Sequence, residues 1–217
     1  MKLLIFDTET TGLPKNYKKQ AVEEPNNWPH IVSISWVILD AISNVIESQK
    51  SFTIKPDGWV ISTEVSKIHG ITHEHAMTVG VPLIEAMTSF TAEKYDCLIA
   101  HNIDFDYNVI MHAYYWDLKN QLSHKLMICP RKCTMKLATD ICKFSGNWGK
   151  HRWPKLCELY EFTFHRKPIS TSLHSSLYDT LILAEVIQHN EELRYKMGLP
   201  TKQINIYNGY PNKTLVL

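Results

Sequence analysis

The N-terminal segment constrains the fold more than any other. Four consecutive apolar residues, Leu3-Leu4-Ile5-Phe6, run directly into Asp7-Thr8-Glu9-Thr10-Thr11-Gly12. An unbroken apolar run of this length reads as a buried strand. Side chains two apart in an extended segment point to one face, so Asp7 and Glu9 can aim at the same spot. Two anions beside an apolar strand repel each other and lose hydration unless positive charge lies between them. A divalent cation is the simplest source of that charge. Taken alone, however, an Asp-x-Glu also describes a strand end entering a solvated turn. Further carboxylates downstream decide between the two readings.

The rest of the chain shows how a sheet is built around that strand. After a strand over 2–7, residues 10–29 form a polar loop rich in turn and solvent residues, among them Pro14, Lys15, Asn16, Pro25, Asn26, Asn27 and Pro29. Alternation over 31–39 and again over 45–54, with a turn at 40–44, predicts two antiparallel partners. Helical periodicity then appears over 63–68, 81–93, 104–116, 133–142, 154–162 and 176–190, interrupted by a short apolar strand at 97–100. Beyond Pro200 the periodicity is lost. The pattern predicts one α/β domain, a mixed β-sheet flanked by α-helices over residues 1–195, followed by a C-terminal tail or edge segment over 196–217.

Composition excludes several classes. No apolar run approaches the roughly 18 residues of a membrane span. The N-terminus lacks the basic region and cleavage site of a secretory signal, so an intracellular protein is expected. Five scattered cysteines suit a reducing interior, and the spacing of Cys129, Cys133 and Cys142 matches none of the paired zinc motifs. The net charge of +1 conceals an asymmetry: residues 1–124 carry nine Lys/Arg against fifteen Asp/Glu, while residues 125–167 carry ten against three. That basic block also holds Phe144, Trp148, Trp153 and Tyr160. Basic residues interleaved with aromatics suit a polyanion whose bases can stack, although a solvated helical face has the same composition.

Two more segments supply carboxylates. In His101-Asn102-Ile103-Asp104-Phe105-Asp106, the two aspartates lie about 200° apart on a helix, so only one can face a shared site. Asp106 shares its face with Val109, Ile110 and Ala113, which must dock on the sheet. Asp106 is therefore expected to point inward, and Asp104 to cap the helix. Asp179 stands near the start of the last strong helix, where the macrodipole favours an anion. His174 precedes it on a Ser-rich approach, free to swing over a site.

Together these motifs resemble the DEDDh family of 3′→5′ exonucleases, DnaQ-like relatives of the proofreading subunit of bacterial DNA polymerase III, within the ribonuclease H-like fold. Asp7 to Gly12 resembles the family's first motif, His101 to Asp106 its second, and His174 to Asp179 its third. Ile68-His69-Gly70-Ile71 is similar to the family's characteristic turn, and Lys155 to Tyr160 to its penultimate helix. The resemblance spans roughly residues 2–190. It implies two Mg²⁺ or Mn²⁺ ions: Asp7 bridges both, Glu9 and Asp179 complete the site of the attacking water, and Asp106 holds the other ion through water. It implies His174 as the general base, with an ordinary pKa of about 6.5 suited to proton removal near neutrality. Thr10, Thr11, Gly12 and Leu13, with Ile68 and His69 opposite, are the expected walls of the terminal-nucleotide pocket.

The expected substrate is the 3′ end of single-stranded nucleic acid, with DNA favoured, and the products are nucleoside 5′-monophosphates. The resemblance suggests proofreading or repair, with a polymerase or replication partner, and leaves the biological role open. An exoribonuclease trimming RNA or short oligonucleotides is the enzymatic alternative. A catalytically silent nucleic-acid-binding or polymerase-tethering module is the non-enzymatic one.

Overall fold

A computed structural model describes residues 1–119, 124–169 and 175–201. Its centre is a five-stranded mixed sheet in the order β3-β2-β1-β4-β5. The strands are β1 (Lys2–Thr10), β2 (Ile31–Asp40), β3 (Val45–Thr53), β4 (Cys97–Ala100) and β5 (Arg131–Cys133). β1 and β2 pair antiparallel, as do β2 and β3, whereas β4 runs parallel to both β1 and β5. The mixed sheet flanked by helices is the α/β class expected from the sequence.

Strand alternation sorts the core into two layers. Leu4, Phe6, Ile34, Trp36, Leu98 and Ala100 face one side, where α3 (Leu83–Ala92) and α4 (Ile103–His112) supply Met87, Phe90, Val109 and Ile110. Leu3, Ile5, Val37, Leu39, Cys97 and Ile99 face the other. There they meet α6 (Thr134–Cys142), α7 (Leu156–Phe164), α8 (Ser176–His189) and α9 (Glu191–Lys196). β1, β2 and β4 are thus buried on both sides, which is why the start of β1 reads as an unbroken apolar run, whereas β3 at the edge of the sheet stays largely exposed. Met197 and Leu199 are buried in the second layer, and residues 202–217 lie outside the described residues. No helix among the described residues is long and apolar enough to cross a membrane.

Several elements differ from the periodicity reading. β1 continues to Thr10, carrying both carboxylates inside the strand. Helices α1 (Thr63–His69) and α2 (His73–Val79) are separate, each begun by a side-chain cap, Ser62 and Thr72. Gly70, at φ 76°, takes the left-handed turn between them. The stretch expected as one helix to Trp116 ends at His112 and passes into a π-turn, Ala113–Asp117. The short α5 (His124–Ile128), β5 and α9 have too few residues for periodicity to register. Within the 14–29 loop, Asn27 and Trp28 are buried rather than solvated. Asn27 accepts from the Asn16 backbone N–H and donates to its carbonyl, each at 2.9 Å, and Trp28 Nε1 donates to the Lys19 carbonyl.

Candidate active site

Asp7 and Glu9 leave β1 on the side that faces α8. Their antiparallel partners on β2 are Ser35 and Ser33 respectively. Both serines are buried and small, so α8 can approach closely. Ser176 Oγ lies 2.9 Å from Ser33 Oγ and 2.8 Å from Ser35 Oγ, and Thr180 Oγ1 donates to the Ser35 carbonyl. Asp179, one turn beyond Ser176, is thereby aimed at the two β1 carboxylates. Oxygens of Asp7, Glu9 and Asp179 lie within 4.8 Å of one another.

Asp106 reaches the same region from α4. It is buried, and its Oδ1 accepts from the Thr8 backbone N–H at 3.0 Å and the Thr8 hydroxyl at 2.7 Å. The inward expectation for Asp106 is met. Asp104 is not the helix cap: Asn102 holds that position in a left-handed conformation (φ 75°), which asparagine tolerates. Asp104 is exposed in the first turn and pairs with Lys136. Sequence reasoning missed Thr8, Ser33, Ser35 and Ser176 as positioning residues. Ser33 and Ser35 on one face of a strand were the available signal, since a polar pair in a buried strand needs a partner.

The electrostatics test whether this group suits a cation. Burial, followed by Asp106, Glu9 and Asp179, pushes the Asp7 carboxyl well above the usual carboxylate range. Burial, then Asp179 and Asp106, raises Glu9 to about 8. Asp106 rises to about 7, chiefly by burial, against the pull of the Thr8 donors. Four carboxylates in this space cannot all be ionised near neutrality without added positive charge. Oxygen-only donors are the set that hard divalent cations prefer. The residues present therefore fit divalent metal ions.

The neighbouring walls are partly formed. A bulge separates Glu9 from Thr10, and Thr10 Oγ1 donates to the Gly12 carbonyl at 2.6 Å. Gly12, at φ 149°, adopts a conformation that side chains disfavour. Leu13 and Ile68 are exposed, while His69 is buried, its Nδ1 accepting from the Ile71 N–H. His174 lies outside the described residues. The basic segment is tied to the site through His101, whose Nε2 donates to the Pro154 carbonyl at 2.9 Å.

The exonuclease (RNase T) family matches residues 4–187. Comparison with curated protein sequences gives no match. Among solved structures, exonuclease X in complex with 5′ overhanging duplex DNA is similar at a TM-score of 0.58 and 25% identity, over 93% of this chain and 96% of that one. E. coli exonuclease I in complex with a dA16 oligonucleotide gives 0.65 at 16% identity, over 89% of this chain but only 42% of that one. Cell-death related nuclease 4 (CRN-4) gives 0.60 at 14% identity, over 91% and 64%. The last two likenesses concern the fold alone, which is ribonuclease H-like. Because the family match runs from the first strand almost to the end of α8, the chain belongs to the exonuclease family of DnaQ-like 3′→5′ exonucleases, which hydrolyse phosphodiester bonds in nucleic acid.

Proposed function

We propose that the chain removes nucleotides from the 3′ end of single-stranded DNA by two-metal hydrolysis, releasing nucleoside 5′-monophosphates inside the cell. The observation that carries this reading is the convergence of Asp7, Glu9 and Asp179, with Asp106 beside them. Bound Mg²⁺ or Mn²⁺ supplies Lewis-acid stabilisation of the attacking and leaving oxygens. Asp7, Glu9 and Asp179 would hold one ion, the one that activates the attacking water. Asp106, fixed by Thr8 and outside that close trio, would hold a second ion together with Asp7. His174 accepts the proton from the attacking water, a role supported by its position in the sequence, five residues before Asp179. Thr10, Thr11, Gly12, Leu13, Ile68 and His69 form the pocket for the terminal nucleotide, the exposed Leu13 and Ile68 offering apolar surface to its base.

DNA is favoured because exonuclease X and exonuclease I have both been solved with DNA. Exonuclease I is also known as an ExoI/SSB-Ct complex, so a replication partner, polymerase included, stays part of the reading, as does a role in repair or proofreading. The test is to incubate 5′-labelled single-stranded DNA and RNA with Mg²⁺ or Mn²⁺, alongside an Asp7→Ala control. A ladder shortening from the 3′ end of DNA, absent in the control, is expected. Preferential RNA trimming moves the reading to an exoribonuclease. Degradation of neither polymer under either metal overturns it in favour of a binding module.

A further inference from the structure

Apart from the acidic cluster, two histidines and an aspartate converge where the 14–29 loop meets the end of α4. His30 Nδ1 lies 3.1 Å from Asp117 Oδ2, and His112 Nδ1 lies 3.7 Å from the same oxygen. One possible ligand atom from each residue lies within 4.8 Å of the others. His30 stands just before β2, its backbone N–H donating to Thr11 Oγ1 and its ring stacked on Trp59 with planes 5° apart. His112 closes α4 and Asp117 closes the π-turn. On a regular α-helix, positions five apart lie about 140° apart around the axis and cannot share a site. The π-turn, closed by the Leu118 N–H donating to the Ala113 carbonyl at 2.9 Å, brings Asp117 round to His112. Such turns recur at functional sites.

The protonation of His112 follows from its partners. Its Nε2 lies 2.7 Å from the Pro25 carbonyl oxygen, which can only accept, so Nε2 carries a proton. The neutral ring therefore presents a lone pair at Nδ1. That atom is buried with no hydrogen-bond partner, in a side chain 1% exposed. A lone pair aimed at a carboxylate is repulsive unless a cation separates them. A proton on Nδ1 can serve, and against the opposing effect of burial Asp117 and the Pro25 carbonyl raise the His112 pKa, but 3.7 Å is beyond hydrogen-bond length. A larger cation fits the spacing: two donors of a tetrahedral zinc centre, each about 2.0–2.1 Å from the ion, stand about 3.3 Å apart. The observed 3.1 and 3.7 Å bracket that separation. The Pro25 carbonyl on the far nitrogen is the kind of outer partner that orients a metal-binding histidine.

We propose that His30, His112 and Asp117 form a second metal site that takes one divalent ion of the zinc class. Imidazole nitrogens favour zinc over Mg²⁺, so the site is chemically distinct from the all-carboxylate cluster. Asp117 and Trp59 also line a cavity of about 430 Å³, which lets the ion reach the site from solvent. A bound ion clamps the end of the 14–29 loop, through His30 and the Pro25 contact of His112, onto α4. Because His30 holds Thr11, the clamp also steadies the proposed nucleotide wall.

The test uses the full chain carrying Asp7→Asn and Asp179→Asn, which disables ion binding at the carboxylate cluster. After chelator treatment it is titrated with Zn²⁺ alone, and separately with Co²⁺. The expected result is one retained equivalent of zinc, undisplaced by millimolar Mg²⁺, and visible absorption of a tetrahedral Co²⁺ centre. Adding His30→Gln or Asp117→Asn is expected to weaken zinc binding by about tenfold or more, with the far-UV circular dichroism unchanged. These two positions are partly exposed, so their substitution does not depend on refilling the core. Failure of the Asp7→Asn/Asp179→Asn chain to retain zinc overturns the proposal, as does unchanged zinc affinity in a folded His30→Gln variant.

Discussion

At Asp7, burial and three neighbouring carboxylates all oppose the charged form. Such a position trades stability for a metal site, so Asp7→Asn should abolish nuclease activity while stabilising the metal-free protein. The gain expected is roughly 1 kcal/mol, or about 2–4 °C in melting temperature for a chain of this size. Thermal unfolding in chelator, with and without the substitution, measures it. His174→Ala should retain metal and nucleotide binding but lose most turnover, by roughly 10²–10⁴-fold for a missing general base. Single-turnover cleavage beside a binding assay checks both halves.

His101 sets a pH limit of its own. Burial holds its pKa down to about 4, below the ordinary 6.5, although the Pro154 carbonyl favours the charged ring. Between those values the unfolded chain binds the proton and the folded one does not. His101 therefore supports the fold fully above about pH 6.5, and that support is lost as the pH falls towards 4. Denaturant midpoints measured across this window should fall on acidification, and His101→Gln should flatten the slope. At this scale the carboxylates of the candidate site were legible from motif spacing. Thr8 and the Ser33, Ser35 and Ser176 group were not, because a positioning residue acts through a partner distant in the chain.

Among the elements, the segment after α6 best illustrates how charge composition becomes a surface. Asn147–Gly149 forms a 3₁₀ turn in which Trp148 is 97% exposed at φ 59°, left-handed for a residue with a side chain. The turn is clasped by the Gly146 N–H to the Lys150 carbonyl and the Arg152 N–H to the Phe144 carbonyl. Arg152 in turn makes two 2.7 Å bonds to Glu158 at the start of α7. An exposed indole held on a braced turn, with Lys143 and Lys150 beside it, suits base stacking along a strand. Trp148→Ala should weaken single-stranded DNA binding by about 1–3 kcal/mol, raising KM and leaving kcat and the melting temperature unchanged. Fluorescence anisotropy and steady-state kinetics read the split. Basic and aromatic composition pointed to this segment. Its shape was invisible, because the turn is closed by backbone bonds that leave no periodic signature.

For the whole molecule, the four carboxylates converge from β1, α4 and α8, so an ion bound there would tie together both faces of the sheet. Mg²⁺ or Mn²⁺ at a hundredfold over its dissociation constant should stabilise the fold by about 2.7 kcal/mol, a rise of roughly 5–10 °C. Chelation should reverse the rise, and Asp179→Asn should remove most of it. A melting temperature indifferent to either metal contradicts a cation at this cluster.

Local information was enough for the class of fold and the family, and it singled out the carboxylates that the fold brings together. Apolar runs, alternation and short motifs are properties of neighbouring residues, and the chemistry demands particular residue types at each position. Tertiary structure alone decided how those residues meet. Small serines on β2 admit α8 close enough to aim Asp179, Thr8 turns Asp106 inward, and a single π-turn brings Asp117 to His112 and His30. Each of these depends on the packing distance between segments far apart in the chain, a quantity that no window of sequence contains.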